Sequence, residues 1–415
     1  MPTPELAVDG DRLAALLAGI NRHGANPSAG GFDRLAFSPA DMAARRWFAE
    51  EMARDGLAVR SDAVGNVFGR FGPADGPTVM IGSHLDTVAR GGAFDGALGC
   101  AVALECVRAL KDAGLGPRLP IEVVATADEE GRFGGMLGSQ AIAGAATEDW
   151  VAGAADADGV RLVDAMREAG LDPDGVAGAA REKGSIRAFL ELHIEQGPVL
   201  EAEGVPVGVA DSVSGVCVLQ VELAGRANHS GTTPMAMRSD AFVGLSEVGT
   251  AMPDIAARHG TDEARITIGH VEIAPNAPHT IPGRAVFTIV IRDVTIEAML
   301  ALRAAVGAAI AQAAARHGLE HTVEALSWLN PVRLDTDLHA HLLALAASLG
   351  IRARSMPSGA GHDAQTMAAI APTALIFVPS VGGVSHAPEE FTAWADILPG
   401  ANLALRALAE ISGAI

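Results

Sequence analysis

Four stretches of this chain end an apolar, strand-like run in side chains that bind metals or move protons. Gly82-Ser83-His84-Leu85-Asp86-Thr87-Val88 follows the run 78–81 and leads into Gly91-Gly92-Ala93-Phe94-Asp95-Gly96. Thr126-Ala127-Asp128-Glu129-Glu130-Gly131 closes a second run in consecutive carboxylates. Glu191-Leu192-His193-Ile194-Glu195-Gln196 sets a histidine at the end of a third, and Ser385-His386-Ala387-Pro388-Glu389 comes after the run 373–379. The carboxyl ends of strands in an open α/β sheet are where ligands usually bind. Gathered at one such edge, His84, Asp95, Glu130, His193 and His386 make three imidazoles and two carboxylates. That set suits zinc, manganese, cobalt or nickel better than calcium or magnesium. Two ions would each need about three protein ligands, so five residues suffice only if a carboxylate is shared. Asp95, in the loop between the two halves, is the natural bridge. Asp86 can accept from the ring nitrogen that a metal leaves free on His84, fixing its tautomer. Glu129 stands spare beside Glu130. The glycines at 91–92 match neither familiar phosphate-binding pattern.

The elements that must position these groups follow from periodicity and punctuation. Residues 11–24 read as a helix, and Ser38-Pro39 opens another that Gly56 stops. Strands are expected around 57–60, 64–71 and 78–82, a helix over 97–113, and strands over 121–126 and 188–193. Residues 141–185 are rich in Ala, Gly and Asp, with two helix-like pieces and no assigned place. Strand and helix alternate, which predicts an α/β core. From about 212 the order changes to strand 216–224, helix 236–259, strands 265–273 and 285–292, helix 295–317 and strand 320–328. That β-α-β-β-α-β order predicts a small ferredoxin-like sheet with two helices on one face. The first style then resumes with helix 336–349, strand 373–379 and helix 395–412. The reading is an α/β, mixed-sheet domain over 1–211 and 329–415, interrupted by an inserted domain over 212–328. Residues 205–212 and 332–335 are the expected crossings.

Composition narrows the function classes. The chain has 415 residues, 49% apolar and 19% charged, ample for a buried core. Its formal net charge of −20 disfavours nucleic acid and anionic membranes, which require a basic face. Anionic substrates stay open, because divalent ions and one arginine can reverse the local field. Cys100, Cys106 and Cys217 are sparse and odd in number, as expected of buried thiols in a reducing compartment. The first residues carry Glu5, Asp9 and Asp11 with no basic leader, and no run is expected to reach the length of a membrane span. The expectation is a soluble, cytoplasmic protein.

With these residues in view, the chain resembles the dinuclear-metal amidohydrolases that include N-carbamoyl-L-amino-acid hydrolase, β-ureidopropionase and allantoate amidohydrolase, relatives of aminoacylases and carboxypeptidase-like metallopeptidases. The matching motifs are the four above, extended to Glu129-Glu130-Gly131-Arg132-Phe133 and to Gly197-Pro198. To these are added Asn228-His229-Ser230-Gly231-Thr232-Thr233-Pro234-Met235 and Ser358-Gly359-Ala360-Gly361-His362-Asp363-Ala364, and the last motif continues to Glu390. They span nearly the whole chain in one order. The resemblance implies that His84 and His193 bind one metal, Glu130 and His386 the other, and Asp95 both. It implies further that Asp86 orients His84, that Glu129 is the general base, and that the insertion is a lid and dimerisation domain. Its His229 would reach the partner subunit's site in a homodimer and stabilise the oxyanion. Arg292 would grip a substrate carboxylate, with Gln196 and the backbone at Gly361 lining the pocket. The family's lid-loop Asn falls at His279, so either Asn276 substitutes for it or His279 alters the pocket.

The implied reaction is metal-dependent cleavage of the ureido C–N bond of an N-carbamoyl-L-amino acid or related ureido acid. Two divalent ions per subunit, zinc first and manganese, cobalt or nickel as alternatives, would serve it. Allantoate and β-ureidopropionate are alternative substrates. An aminoacylase or dipeptidase is a more remote reading, against which the His-Ile-Glu-Gln form at 193–196 and Arg292 argue. A non-catalytic binding module on the same fold is disfavoured by the complete ligand set with Glu129.

Overall fold

A computed structural model describes residues 6–415; Glu5 lies outside them. The chain lays down β1 (Ala58–Ser61), β2 (Val67–Phe71), β3 (Thr78–His84), β4 (Ile121–Thr126), β5 (Ile186–Ile194) and β6 (Val207–Val213). Four strands of a second sheet follow: β7 (Gly215–Ala224), β8 (Arg265–Ala274), β9 (Arg284–Asp293) and β10 (Glu320–Leu329). Then come β11 (Val332–Arg333), β12 (Ala353–Ser358) and β13 (Thr373–Val378). Packing divides the chain into two compact units. One runs to Asp211 and resumes over Leu334–Met356 and Gly361–Ile415; the other comprises Ser212–Arg333 with Pro357–Ala360.

The first sheet has the order β1-β2-β4-β3-β5-β13-β6-β11, with β12 also against β6. Its centre, β4-β3-β5-β13, is parallel, and β1, β2 and β6 run antiparallel to their neighbours. The sheet is therefore mixed, as expected. Every residue of β3, β4 and β13 is buried. Strands covered on both faces read as largely apolar runs, and these do apart from the buried Glu122 and the polar ends of β3 and β4. The helix Ala97–Asp112 is apolar on nearly all sides and buried to match. Val102, Leu104 and Val107, each fully covered, contribute about 1.5–3 kcal/mol apiece. The helices Gly10–Ile20 and Trp394–Ile411 complete the same core. Residues left unassigned in the sequence form the helices Leu137–Ala143, Glu148–Gly153 and Leu162–Glu168 and a 3-10 turn, Pro173–Ala179, around a separate apolar cluster.

The second unit has the predicted strand–helix order, and its sheet runs β10-β7-β9-β8, all antiparallel. The helices Ala241–His259 and Ile296–His317 bury their apolar stripes against it.

Three expectations change. The first helix of this unit starts at Ala241 rather than 236, because Met235–Met237 forms a 3-10 turn and Asp240 caps the helix through Phe242 and Val243 N–H. Helix Ile296–His317 does have the length and hydropathy of a membrane span. Yet Met299, Leu302, Val306 and Ile310 recur at helical spacing and are buried in the unit's core. The expected crossing at 205–212 does hold the change of unit, between Asp211 and Ser212, and it is made by a strand, β6. Strand β12 and the short helix Asp363–Met367 had no counterpart in the sequence reading.

Candidate metal centre

Strand order does the gathering. Because β4, β3, β5 and β13 are adjacent and parallel, their carboxyl ends lie side by side, and each delivers one part of the set. His84 ends β3 and His193 stands one residue from the end of β5. Glu129 and Glu130 follow β4, and His386 follows β13 on a loop. Asp95 comes from the loop before helix Ala97–Asp112. Its Oδ1 lies 3.1 Å from His193 Nε2 and 3.3 Å from His84 Nε2. Its Oδ2 lies 3.4 Å from His386 Nε2, which is itself 3.2 Å from Glu130 Oε2. Two groups of potential ligands result, His84–Asp95–His193 and Asp95–Glu130–His386, in each of which the ligand atoms lie within 4.8 Å of one another. Glu129 Oε2 is 3.6 Å from His84 Nε2. The donor set fits divalent cations: one carboxylate turns one oxygen to His84 and His193 and the other to His386.

Local folding holds these atoms. His84 Nδ1 is 3.0 Å from the main-chain carbonyl of Asp86, and His193 Nδ1 is 2.9 Å from that of Ile194, so each ring presents Nε2 to the centre. This corrects the expectation for Asp86, whose carboxylate does not meet His84. It lies 3.5 Å from Arg45 Nη2 and accepts from Glu130 N–H at 3.2 Å. A short turn brings the Asp86 carbonyl to the ring before the side chain can. Gly96, at φ +60, passes so close over His84 that a Cβ there would sit 2.4 Å from the ring. Asp128, Gln196 and His386 all adopt positive φ, a costly conformation that concentrates at functional sites.

Electrostatics follow from the crowding. Burial alone would raise the Asp95 carboxyl, but the facing His193, His386 and His84 pull it well below the usual carboxylate range. Burial, reinforced by Asp363, Glu130 and Asp95, holds Glu129 well above that range against the opposing pull of His84. His386, hydrogen-bonded to Asp95 and Glu130, is raised to about 10. His362 packs edge-on to His193 at 4.6 Å, and burial followed by the charge of His193 keeps it well below the usual imidazole value.

Gln196 joins the cluster directly, its Nε2 donating to Asp95 Oδ2 at 2.7 Å. Gly361 is close-packed, with Met136 Cε 2.9 Å from where a Cβ would stand. On the outer side, Asp86, Val88, Glu130, Phe133 and Trp150 help line a cavity of ≈ 560 Å³.

The remaining candidates belong to the second unit. His229 bridges Thr280, and Ser230 N–H donates to the His279 carbonyl, so the loops carrying His229, Asn276 and His279 are neighbours. They lie beyond the Arg284 end of β9. Arg292 stands at its opposite end, opposite Val216, and donates to the Gly359 carbonyl at 2.7 Å. Eight residues of strand separate the ends, about 26 Å at a rise of ~3.3 Å per residue.

A family model, peptidase family M20/M25/M40, matches residues 80–410 of this chain. The chain belongs to that family. Its members depend on metal ions, and the two ligand groups above are where this member would hold them. The chain is 38% identical over 386 residues to an N-carbamoyl-L-amino-acid amidohydrolase of Paenarthrobacter aurescens, covering 91% of this chain and 92% of that one. It is 38% identical over 395 residues to an allantoate amidohydrolase of Escherichia coli, covering 92% and 93%. A crystal structure of a hydantoinase/carbamoylase family amidase from Burkholderia multivorans superposes with a TM-score of 0.91, at 36% identity over 99% of both chains. These relatives are hydrolases of C–N bonds.

Proposed function

We propose that the protein is a metal-dependent amidohydrolase that cleaves the ureido C–N bond of N-carbamoyl-L-amino acids or closely related ureido acids, giving the amino acid, carbon dioxide and ammonia. One observation carries the reading. Asp95 turns one oxygen to His84 and His193 and the other to His386, with the buried Glu129 beside them.

His84 and His193 would hold one divalent ion and Glu130 with His386 the other, Asp95 being common to both; zinc suits the set best, then manganese, cobalt or nickel. When bound, such ions supply a Lewis acid and a water of lowered pKa. Glu129 Oε2 is placed to take the water's proton as it attacks the ureido carbonyl and to return it to the leaving nitrogen. Gln196 and Gly361 would line the substrate, and Asp86 sets the His84 ring through its main-chain carbonyl. Arg292 would present a planar fork to the substrate carboxylate, which a lysine could not match. His229 would stabilise the oxyanion, a donor of this kind being worth about 3–4 kcal/mol. The strand length between His229 and Arg292 supports a homodimer in which each substrate takes one of them from either subunit. Asn276 and His279, in the loop beside His229, are the candidates for substrate choice. Three free, buried thiols suit the cytoplasm.

A panel of N-carbamoyl-L-amino acids, β-ureidopropionate and allantoate, assayed after loading with Zn, Mn or Co, tests the proposal. Release of ammonia and the amino acid from at least one ureido acid is expected. Hydrolysis confined to acyl-amino acids or dipeptides would overturn it.

A further inference from the structure

One buried carboxylate near the ligands takes no part in the scheme above. Glu390 is 4% exposed, although its neighbour Glu389 in the same motif is open to solvent. Its Oε1 accepts from the main-chain N–H of Phe94 at 2.9 Å and of Asp95 at 3.0 Å. Its Oε2 lies 3.0 Å from Ser385 Oγ, which is also 3.0 Å from Asp95 Oδ2. The carboxylate therefore holds Asp95 by its main-chain N–H, while the single Ser385 Oγ–H stands between the two carboxylates, within reach of either. Gly92 is shaped to admit it, since a Cβ at that position would fall 2.1 Å from the Glu390 carboxylate. Glu390 also ends the loop that carries His386, so a single side chain ties the loop of one expected ligand to the backbone of another.

We propose that Glu390, acting with Ser385, is a positioning residue that fixes Asp95 in its bridging orientation and holds the His386 loop to it. The physical reason is geometric. A carboxylate that must point two oxygens at two different groups has to be held both in position and in the orientation of its plane. The backbone bonds supply the first and the hydroxyl the second. Partners of this kind behind a metal ligand typically govern affinity by about 10–100-fold.

This inference rests on the metal-binding reading, and the experiment separates the two. Metal-free protein is titrated with Zn or Mn by calorimetry, together with its thermal unfolding in the absence of metal. Wild type that binds no ion overturns the metal-binding reading and the inference with it. With wild type binding normally, Glu390→Ala should weaken binding about 10–100-fold, and Glu390→Gln should recover most of it. The glutamine keeps an oxygen for the two N–H groups and donates its amide to Ser385. Wild-type affinity in Glu390→Ala, or no recovery in Glu390→Gln, overturns the inference alone. Should Glu390→Ala fail to fold, Ser385→Ala leaves both backbone bonds in place and carries the same test: weakened binding with unchanged metal-free melting supports the proposal, and unchanged binding overturns it.

Discussion

A carboxylate that must accept a proton near neutral pH has to be lifted from its ordinary range, and enzymes do this chiefly by burial. Glu129 is in that position, since dehydration dominates its environment and three further acids add to it. Glu129→Gln should keep the ion content of wild type while turnover falls by about 10²–10⁴-fold; metal analysis beside steady-state rates checks both halves. His386 gives the pH dependence. Its pKa of about 10 in the ion-free protein lies above the usual imidazole value, so its proton stabilises the folded state fully below about 6.5 and that contribution is lost as pH rises through about 10. A cation at Asp95, Glu130 and His386 must displace that proton. Metal affinity should therefore rise with pH between 6 and 9, with proton release seen as a dependence of the calorimetric heat on buffer ionisation enthalpy. At this scale the members of the cluster were legible in the sequence, because three imidazoles and two acids all follow apolar strand runs of one sheet. The role of Glu390 was not. Nothing in Glu389-Glu390 says which of two adjacent glutamates turns inward, and Asp86 likewise disclosed a function but not that its main chain performs it.

Among the elements, helix Ala97–Asp112 and the loop before it matter most. The helix begins where Gly96 crosses the His84 ring, leaving no room for a side chain. Gly96→Ala should push His84 off its carbonyl partner and cost about 1–3 kcal/mol of stability, visible as a lowered melting temperature with weakened metal binding. The central strands could be read from sequence because burial on both faces makes them predominantly apolar. Residues 141–185 could not, since four short pieces in Ala- and Gly-rich chain carry too few turns for a period to show. That the crossing at 205–212 is itself a strand, β6, was hidden for a related reason: seven residues with Gly, Ala, Asp and Ser among the valines resemble a linker until a neighbour supplies the hydrogen bonds.

For the whole molecule, the opposite placement of His229 and Arg292 on the small sheet makes a prediction about assembly. In the proposed homodimer with shared sites, mixing a His229→Ala protein with an Arg292→Ala protein should regenerate activity, because a mixed dimer would contain one site with both residues intact. Random mixing in equal amounts should restore about a quarter of wild-type turnover for closed two-fold pairs; no recovery after verified subunit exchange would rule out sharing.

The depth of the ligands varies sharply within the centre. His84 and His193 are 1% and 2% exposed, whereas the His386 side chain is 49% exposed. In the proposed centre an ion at the inner pair would be enclosed by buried ligands, while one at His386 would be open to the solution. The two should therefore exchange on different clocks. Protein given cobalt before manganese should differ in colour and rate from protein given them in reverse, long after both mixtures hold the same concentrations. The chain would then keep a chemical memory of the first ion it met.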